Sequence, residues 1–373
     1  MAFKTDRSGQ RTGLINWKTR LNQIAELGWQ ENRTTHYIKQ QLKDAPLIDG
    51  FNPGHTGLLY KLGKGNRAIL LRADIDALRT RSGVAHICGH SSHTAALMSA
   101  YLFAQKQSDR LRTANKSIYF LFQPCEEGFP SGARAFLDQA RSHLHEIKYA
   151  FATHVRPLMP PGQIGLVTGP VFARGDYFEI AVRGTQVHVK NAPEGIDAIE
   201  TASHLVLEIK KIQKRYLNRL RINVGVINGG RQANTVADLA DLKGDIRLCR
   251  DADQTMIKNR LKTIISALEK RYRATIDLRY FSGYPVLTNE RALVKKIVAS
   301  VNFSGKKIVT RPDLFSFGCE DFSFISARFP SLFALVGTGD RHDLHEDDCV
   351  ISDRGTETAR LFFQQIISWW LTK

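Results

Sequence analysis

The residues best suited to chemistry in this 373-residue chain lie in the segment 84–94, which holds one cysteine and three histidines. Thiolate and imidazole groups are the ligands that proteins use for borderline-soft divalent metals. Cys88 and His90 stand two residues apart, between His86 and His93. The segment favours a metal site, although a histidine-rich surface loop with one buried cysteine would have the same composition.

Four segments of the chain each combine an apolar strand with titratable side chains that follow it. The predicted strands cover residues 68–75, 118–122, 149–153 and 332–338, and the side chains are those of Asp74, Asp76, Cys88 and His90, of Glu126 and Glu127, of His154, and of His345. In open α/β sheets, sites form outside the carboxyl ends of the strands. We therefore expect these residues to converge although they are far apart in sequence.

Glu126 and Glu127 are adjacent carboxylates at the end of one of these strands. Adjacent residues in an extended chain point to opposite sides. One carboxylate can then bind a metal ion while the other takes a proton from a water molecule. Taken alone, the pair is also compatible with a solvated acidic turn.

The middle of the chain predicts a second domain. The order from residue 172 to residue 284 is β-α-β-β-α-β, which is typical of a ferredoxin-like unit. The predicted strands cover 177–183, 220–229, 237–248 and 275–281, and the predicted helices cover 197–215 and 251–273. We expect an α/β protein in which residues 1–171 and 285–373 form a metal-binding catalytic domain and 172–284 form an inserted domain.

Composition limits the classes of protein that fit. The chain carries a formal charge of +17, but its basic residues are scattered, and it has neither zinc-finger spacing nor an RNA-binding aromatic motif, so we expect no nucleic-acid partner. Its five cysteines form no C-x-x-C pair, which favours a reducing compartment. No apolar run approaches the ~18 residues of a membrane span. We expect a cytoplasmic protein with no membrane partner.

Several motifs together resemble a known family, the metal-dependent amidohydrolases and peptidases that include aminoacylase, hippurate hydrolase and indole-acetyl-amino-acid hydrolase. The resemblance covers nearly the whole chain in the same order. The matching segments are 72–78 (RADIDAL), 86–94 (HICGHSSHT), 122–128 (FQPCEEG), 153–155 (THV), 169–170 (GP), 234–238 (NTVAD), 318–322 (GCEDF) and 344–345 (LH).

The resemblance implies a zinc-peptidase-like catalytic domain with two divalent metal ions, which could be zinc, manganese, nickel or cobalt. It gives Glu126 the role of general base. It assigns five metal ligands: Cys88, His90, Glu127, His154 and His345. Five protein ligands cannot fill the shells of two metals, so a bridging thiolate or water is expected.

The resemblance also implies roles for the inserted domain, which would act as a lid and as the surface of a homodimer. His188 matches the histidine that stabilises the tetrahedral oxyanion, often across the dimer. Asn234 and Arg247 match residues that bind the polar end of the substrate, where an arginine suits a carboxylate. From the residues alone, a strand-end histidine, a turn asparagine and a sheet-edge charge are the plainer interpretations.

Two departures from the family pattern stand next to the predicted metal site. The segment 79–83 is short and basic where relatives have a proline and a longer loop with an acidic residue. Ser91 stands where an aspartate usually follows the ligand histidine, and the loss of such a partner typically weakens metal binding ~10–100-fold. We expect these changes to affect the choice of substrate more than the reaction.

The sequence therefore predicts a dimetal hydrolase that cleaves the amide bond of a small N-acylated amino acid or a related conjugate. Two alternatives remain open at this point. One is a dimetal exopeptidase, which would need an acidic residue to recognise a free α-amino group. The other is a non-catalytic metal- or ligand-binding relative.

Overall fold

A computed structural model describes residues 7–43, 45–48, 56–303, 305–346 and 349–372. The chain divides into two compact units. The first comprises Met1–Val171, Thr288–Leu314 and Asp321–Lys373, and the second comprises Phe172–Leu287 and Phe315–Glu320. The short segment 315–320 groups with the second unit, whereas the predicted inserted domain covers only residues 172–284.

Helices and strands alternate along most of the chain. In chain order, the helices are α1 (Arg7–Gln23), α2 (Asn32–Gln41), α3 (His90–Gln105), α4 (Ser108–Thr113), α5 (Gly132–Gln139), α6 (Arg141–Leu144), α7 (Ala198–Arg215), α8 (Asp253–Tyr272), α9 (Arg291–Ser300), α10 (Phe322–Ser326) and α11 (Asp353–Thr372). The strands are β1 (Leu58–Leu62), β2 (Arg67–Asp74), β3 (Leu78–Thr80), β4 (Gly83–Ala85), β5 (Lys116–Gln123), β6 (Ile147–Arg156), β7 (Gln163–Gly165), β8 (Gly169–Phe172), β9 (Arg174–Arg183), β10 (Leu220–Gly229), β11 (Leu239–Leu248), β12 (Thr275–Tyr284), β13 (Leu287–Asn289), β14 (Lys307–Val309) and β15 (Ser331–Gly337).

The first unit is built on a seven-stranded sheet in the order β1-β5-β2-β6-β15-β7-β14. The four neighbours β5, β2, β6 and β15 run parallel to one another. Parallel strands need cover on both faces, and the continuous apolar runs of β5 and β15 are buried along their whole length. Ile69, Leu71 and Ala73 of β2 share one hydrophobic cluster with residues of α1, α3 and α11.

The second unit is an antiparallel four-stranded sheet in the order β10-β11-β9-β12, with α7 and α8 packed on it. Strand β9 alternates as a half-buried strand should, with Phe178, Ile180 and Val182 in the core. Together with the β-α-β-β-α-β chain order, this arrangement is the ferredoxin-like fold, inserted between two parts of an α/β unit.

Several elements differ from their predicted bounds by a few residues, among them the first helix and strand β6. The helical spacing of apolar residues such as Leu14, Leu21 and Leu27 predicts a first helix over 12–28. In the structure α1 ends at Gln23, and Leu27 forms a bridge with Ala77 instead. Apolar spacing continues past the helix because Ile24 and Ala25 are buried without being helical. Strand β6 continues past His154 to Arg156. In the part of the chain that the structure describes, no helix has the length and apolar character needed to cross a membrane.

Candidate metal centre

The parallel strands bring the predicted ligand residues together at one edge of the first unit. Asp74 is the last residue of β2, and Glu126 and Glu127 follow β5 after a short turn. His154 lies inside β6, directly opposite Leu335 of β15, so pairing on the sheet fixes its backbone. His345 lies in the loop after β15. The convergence expected from the strand pattern is therefore present.

The turn into α3 presents Cys88 and His90 on either side of a glycine. Gly89 has a φ of 86°, a left-handed conformation that favours glycine. A Cβ placed on it would lie 2.3 Å from Cγ2 of Val155. A larger residue here would push α3 away from β6, so the glycine allows both neighbours to face the same site.

Among the groups of side chains whose donor atoms all lie within 4.8 Å of one another, three consist only of predicted ligands and Glu126. They are Cys88, His90 and His154; Cys88, Glu127 and His345; and His90, Glu126 and Glu127. Cys88 belongs to the first two groups. Its sulfur lies 3.5 Å from Nε2 of His154 and 3.2 Å from Nε2 of His345. One thiolate could therefore serve two neighbouring metal positions.

His90 is oriented as a metal ligand usually is. Its Nδ1 lies 3.0 Å from both the carbonyl oxygen and Oδ1 of Asp76, so Nδ1–H donates to that residue. Its buried Nε2 has no hydrogen-bond partner among the described residues. Carboxylate oxygens of Glu126 and Glu127 each lie 3.9 Å from that nitrogen. An imidazole lone pair facing two acidic oxygens suits a cation, and the thiol, imidazole and carboxylate groups gathered here are ligand types for divalent metals.

The electrostatics of this cluster are dominated by burial and by close carboxylates. Burial lowers the pKa of His90, but Asp74, with Asp76 and Glu127, outweighs it and raises the pKa to about 10. Burial, followed by the charges of Glu127 and Glu126, raises the pKa of the Cys88 thiol. A divalent cation would favour the unprotonated form of both groups, since ligands bind it without their protons.

His154 and His93 differ in what their ring nitrogens contact. His154 donates from Nδ1 to the carbonyl oxygen of Val155 at 2.8 Å, and its Nε2 faces Cys88. Burial and the neighbouring His93 lower the pKa of His154 to about 3, so the ring is neutral. His93 lies 2.6 Å from Oδ1 of Asp74 through Nδ1, and its Nε2 accepts the N–H of Val155. That nitrogen has no lone pair left for a metal, so we keep His93 outside the ligand set.

The two glutamates converge rather than point apart, which corrects the expectation for an extended chain. The preceding Cys125 has a φ of 47°, so the backbone turns here. The N–H of Glu127 donates to Oδ2 of Asp76 at 2.9 Å. Burial raises the pKa of Glu127, but contact with His345 and the charge of His90 outweigh it and lower the pKa. Glu126 Oε1 accepts the backbone N–H of Asp321 at 3.3 Å.

His345 is the most exposed of the five predicted ligands, with 54% of its side chain accessible. Its Nε2 lies 3.3 Å from Oε1 of Glu127, and this contact raises the pKa of His345. Its φ of 68° is uncommon for a residue other than glycine. Such conformations cost on the order of 1–3 kcal/mol and concentrate at functional sites.

The second unit holds the predicted oxyanion donor His188 and the predicted substrate-binding residues Asn234 and Arg247 in two places. His188 and Asn234 are neighbours, because His188 bridges to Thr235 and the N–H of Val189 donates to the carbonyl oxygen of Asn234. Nδ1 of His188 accepts the N–H of Lys190 at 3.2 Å, which is the tautomer with a proton on Nε2, and the residue is exposed.

Arg247 lies on β11 and is already paired. Its Nε and Nη2 donate to the two carboxylate oxygens of Asp245 at 2.5 Å and 3.1 Å. A substrate carboxylate would therefore compete with Asp245. The sequence could have predicted this pairing, because Asp245 and Arg247 are two residues apart on one strand and therefore share a face.

A buried polar network beside the cluster was not predicted. Arg72 donates from Nη1 to Asp74 at 2.7 Å and from Nη2 to Asp321 at 2.8 Å. Asp321 also accepts from Gln123, Ser131 and the N–H of Ala133. Arg72 and Asp321 are 249 residues apart, so no local sequence pattern predicts their contact. The position of Arg72 inside an apolar strand does indicate that it needs a buried partner.

Comparison with known proteins supports the same interpretation of the fold and of the class of enzyme. The family model described as Peptidase family M20/M25/M40 matches residues 70–368. An N-acetyl-L-cysteine deacetylase from Bacillus subtilis is 29% identical over 368 residues, which cover 94% of this chain and 86% of the relative.

Solved structures agree with this match. A dinuclear metal-binding peptidase of the M20 family from Bacillus subtilis superposes with a TM-score of 0.84 and 25% identity, covering 98% of this chain and 99% of that one. An aminobenzoyl-glutamate utilization protein from Klebsiella pneumoniae shares the fold, with a TM-score of 0.71, 21% identity and 98% of each chain covered.

The first unit carries thiol, imidazole and carboxylate donors at the ends of its parallel strands, and a ferredoxin-like unit is inserted in its chain. This combination is that of a metal-dependent hydrolase. The chain belongs to peptidase family M20/M25/M40. Its chemistry is the hydrolysis of amide bonds at a site for two metal ions.

Proposed function

We propose that this chain hydrolyses the amide bond of N-acyl amino acids. The observation that carries the proposal is the pair of donor groups that share Cys88, with the carboxylate of Glu126 beside them. The deacetylase activity in the name of the Bacillus subtilis relative supports an N-acylated substrate. We propose Cys88, His90, Glu127, His154 and His345 as the ligands of the two metal ions.

Glu126 is the residue that we propose moves the proton. Divalent ions held by the five ligands would lower the pKa of a water molecule and polarise the amide carbonyl. Glu126 would take the proton from the attacking water and give it to the leaving amine. Its hydrogen bond from Asp321 N–H fixes one carboxylate oxygen and leaves the other facing His90.

His188, Asn234 and Arg247 complete the proposed machinery. The Nε2–H of His188 suits an oxyanion, because a preorganised donor of this kind typically contributes ~3 kcal/mol to transition-state stabilisation. We propose that Asn234 and Arg247 bind the α-carboxylate, with Asp245 holding the guanidinium in place until substrate arrives.

The metal, the assembly and the location are proposals of the same standing. We propose zinc, manganese, nickel or cobalt as the metal: sulfur and nitrogen donors suit zinc, nickel and cobalt better than magnesium or calcium, and carboxylate donors also suit manganese. A homodimer through the inserted unit is supported by the edge strand β10, which exposes Val226 and Ile227. Five free cysteines support a cytoplasmic location.

The substitution Glu126→Gln tests the function. We expect turnover of N-acetyl amino acids to fall by about 10²–10⁴-fold, the usual contribution of a general base. The metal content, measured by inductively coupled plasma mass spectrometry, should stay at the wild-type value.

The adjacent substitution Glu127→Gln is the matched control. It removes a proposed ligand rather than the base, so it should lower both metal content and activity. A Glu126→Gln variant with near wild-type kcat would refute the role of Glu126. A wild-type protein that releases amine from no N-acyl amino acid, with each of the four metals added in turn, would refute the proposed function.

A further inference from the structure

A cavity of about 630 Å³ opens beside the metal centre, and two arginines line it. The hairpin formed by β3 and β4 contributes Arg79, Thr80 and Arg81, and the loop after β15 contributes His345 and Glu346. His345 is one of the proposed ligands, so the cavity begins at the metal centre itself.

The position of the hairpin is fixed by its apolar side chains. Leu78 pairs with Ala85 across the hairpin, and both pack against a small cluster that includes Ile87 and Val155. Val155 follows the proposed ligand His154, and the N–H of His345 donates to the carbonyl oxygen of Ile87 at 3.2 Å. The backbone that presents two ligands therefore also anchors the basic hairpin.

Among the described residues that line the cavity, the charge is positive on balance. Arg79 and Arg81 are both exposed at its wall. Glu346 is the carboxylate among the described lining residues, and its Oε2 accepts from Nδ1 of His342 at 3.0 Å. A guanidinium group binds carboxylates through paired N–H donors and stays charged at all physiological pH values.

We infer that the Arg79–Arg81 hairpin is a subsite for a second carboxylate of the substrate. The inference rests on the proposed function, in which Arg247 takes the α-carboxylate. The preferred substrates are then N-acyl amino acids with one more acid group, carried either by a dicarboxylic acyl group or by an acidic amino-acid side chain.

Substrate pairs that differ in one charge test this subsite. On the acyl side, N-succinyl-leucine is compared with its N-succinamoyl analogue. On the amino-acid side, N-acetyl-glutamate is compared with N-acetyl-glutamine. Wild-type protein should favour the carboxylate member of at least one pair in kcat/KM, and the responsive pair identifies which end of the substrate enters the cavity.

The double variant R79Q/R81Q should reduce that preference by about tenfold, the expected scale for the loss of charge-assisted hydrogen bonds. Arg112→Gln is the matched control, because Arg112 is an exposed arginine that pairs with Asp109 on another surface of the same unit, and it should leave the preference unchanged. Equal kcat/KM for both members of both pairs in wild-type protein would overturn the inference, and so would an unchanged preference in the double variant.

A binding experiment separates this inference from the proposed function. Glutarate and glutaramate are titrated into metal-loaded protein by isothermal calorimetry, which needs no turnover. If wild-type protein binds glutarate more tightly and R79Q/R81Q loses that difference, the subsite stands even where no N-acyl amino acid is hydrolysed. Equal binding of glutarate by wild type and variant would overturn it.

Discussion

The role of each histidine at this site is decided by its second ring nitrogen. His90 gives one nitrogen to Asp76 and keeps the other without a hydrogen-bond partner in the described chain, whereas both nitrogens of His93 are engaged. Sequence spacing could suggest both residues as ligands, but it could not show which ring nitrogens are already hydrogen-bonded. The N–H that His93 accepts belongs to Val155, 62 residues away.

The structure does not support the weaker metal binding that we expected from Ser91, which departs from the family pattern. Its replacement of the usual aspartate predicted weaker metal binding through the loss of a partner for a ligand histidine. In the structure, Asp76 already accepts from His90. The observed geometry thus gives no reason for Ser91 to weaken the site through His90.

Glu31 gives a pH-dependent prediction. It is fully buried at the start of α2, and burial, together with the charge of Asp76, raises its pKa from 4.5 to about 7. Between those pH values the unfolded chain loses this proton and the folded chain keeps it, so stability falls as pH rises from 4.5 to 7.

The substitution Glu31→Gln should remove this loss while keeping an oxygen for the N–H of Cys125. Above pH 7 we expect the variant to be more stable than wild type by roughly 1–3 kcal/mol, and near pH 4 we expect the two to be alike. Urea denaturation at several pH values, with metal content held constant, measures this. Glu194→Gln on the surface is the control, and a parallel pH profile for Glu31→Gln and wild type would contradict the prediction.

At the scale of elements, buried polar contacts join the ends of β2, β5 and α10. The carboxylate of Asp321, at the start of α10, bonds Arg72 of β2 and Gln123 of β5, and all three side chains are fully buried or nearly so. Removing one member of such a network leaves an uncompensated charge in the interior.

Asp321→Ala should therefore destabilise the first unit by about 3–5 kcal/mol. Asp109→Ala, which breaks the exposed pair with Arg112, should cost less than about 1 kcal/mol. Both are measured by urea denaturation at fixed metal content. A loss for Asp321→Ala no larger than that of the surface control would show that the network contributes little.

The sequence predicted most elements of this fold and the edge on which the ligand residues gather. Long apolar strands such as 118–122 and the strict alternation of β9 are strong local signals, and the parallel order then places the strand ends together. The turn at Cys125, the pairing of Arg72 with Asp321 and the early end of α1 depend on contacts made only in the folded chain.

At the scale of the whole molecule, the two units have separate hydrophobic cores, and all five proposed ligands belong to the first. A metal that binds only the folded state stabilises it by about 4 kcal/mol when its concentration is 1,000 times its Kd. We expect metal binding to stabilise the first unit, which holds the ligands, rather than the second.

Chelation with EDTA should therefore speed amide hydrogen exchange in segments 86–100 and 123–133 while leaving segment 220–248 unchanged. Exchange followed by mass spectrometry resolves these peptides, and the second unit serves as an internal control within the same chain. Equal acceleration in both units, or in neither, would contradict this assignment of the metal ligands.

The fixed backbone of His154 has a consequence for the order in which the site fills. Cys88, His90 and His154 are buried and held by α3 and β6, so this group is preorganised and loses little conformational entropy when it closes on an ion. The group completed by His345 recruits a half-exposed side chain from a loop and must first immobilise it. Two metal positions that shared the Cys88 sulfur would therefore differ in affinity. Binding of the first ion would remove the proton from the Cys88 thiol, so the second ion would meet a thiolate.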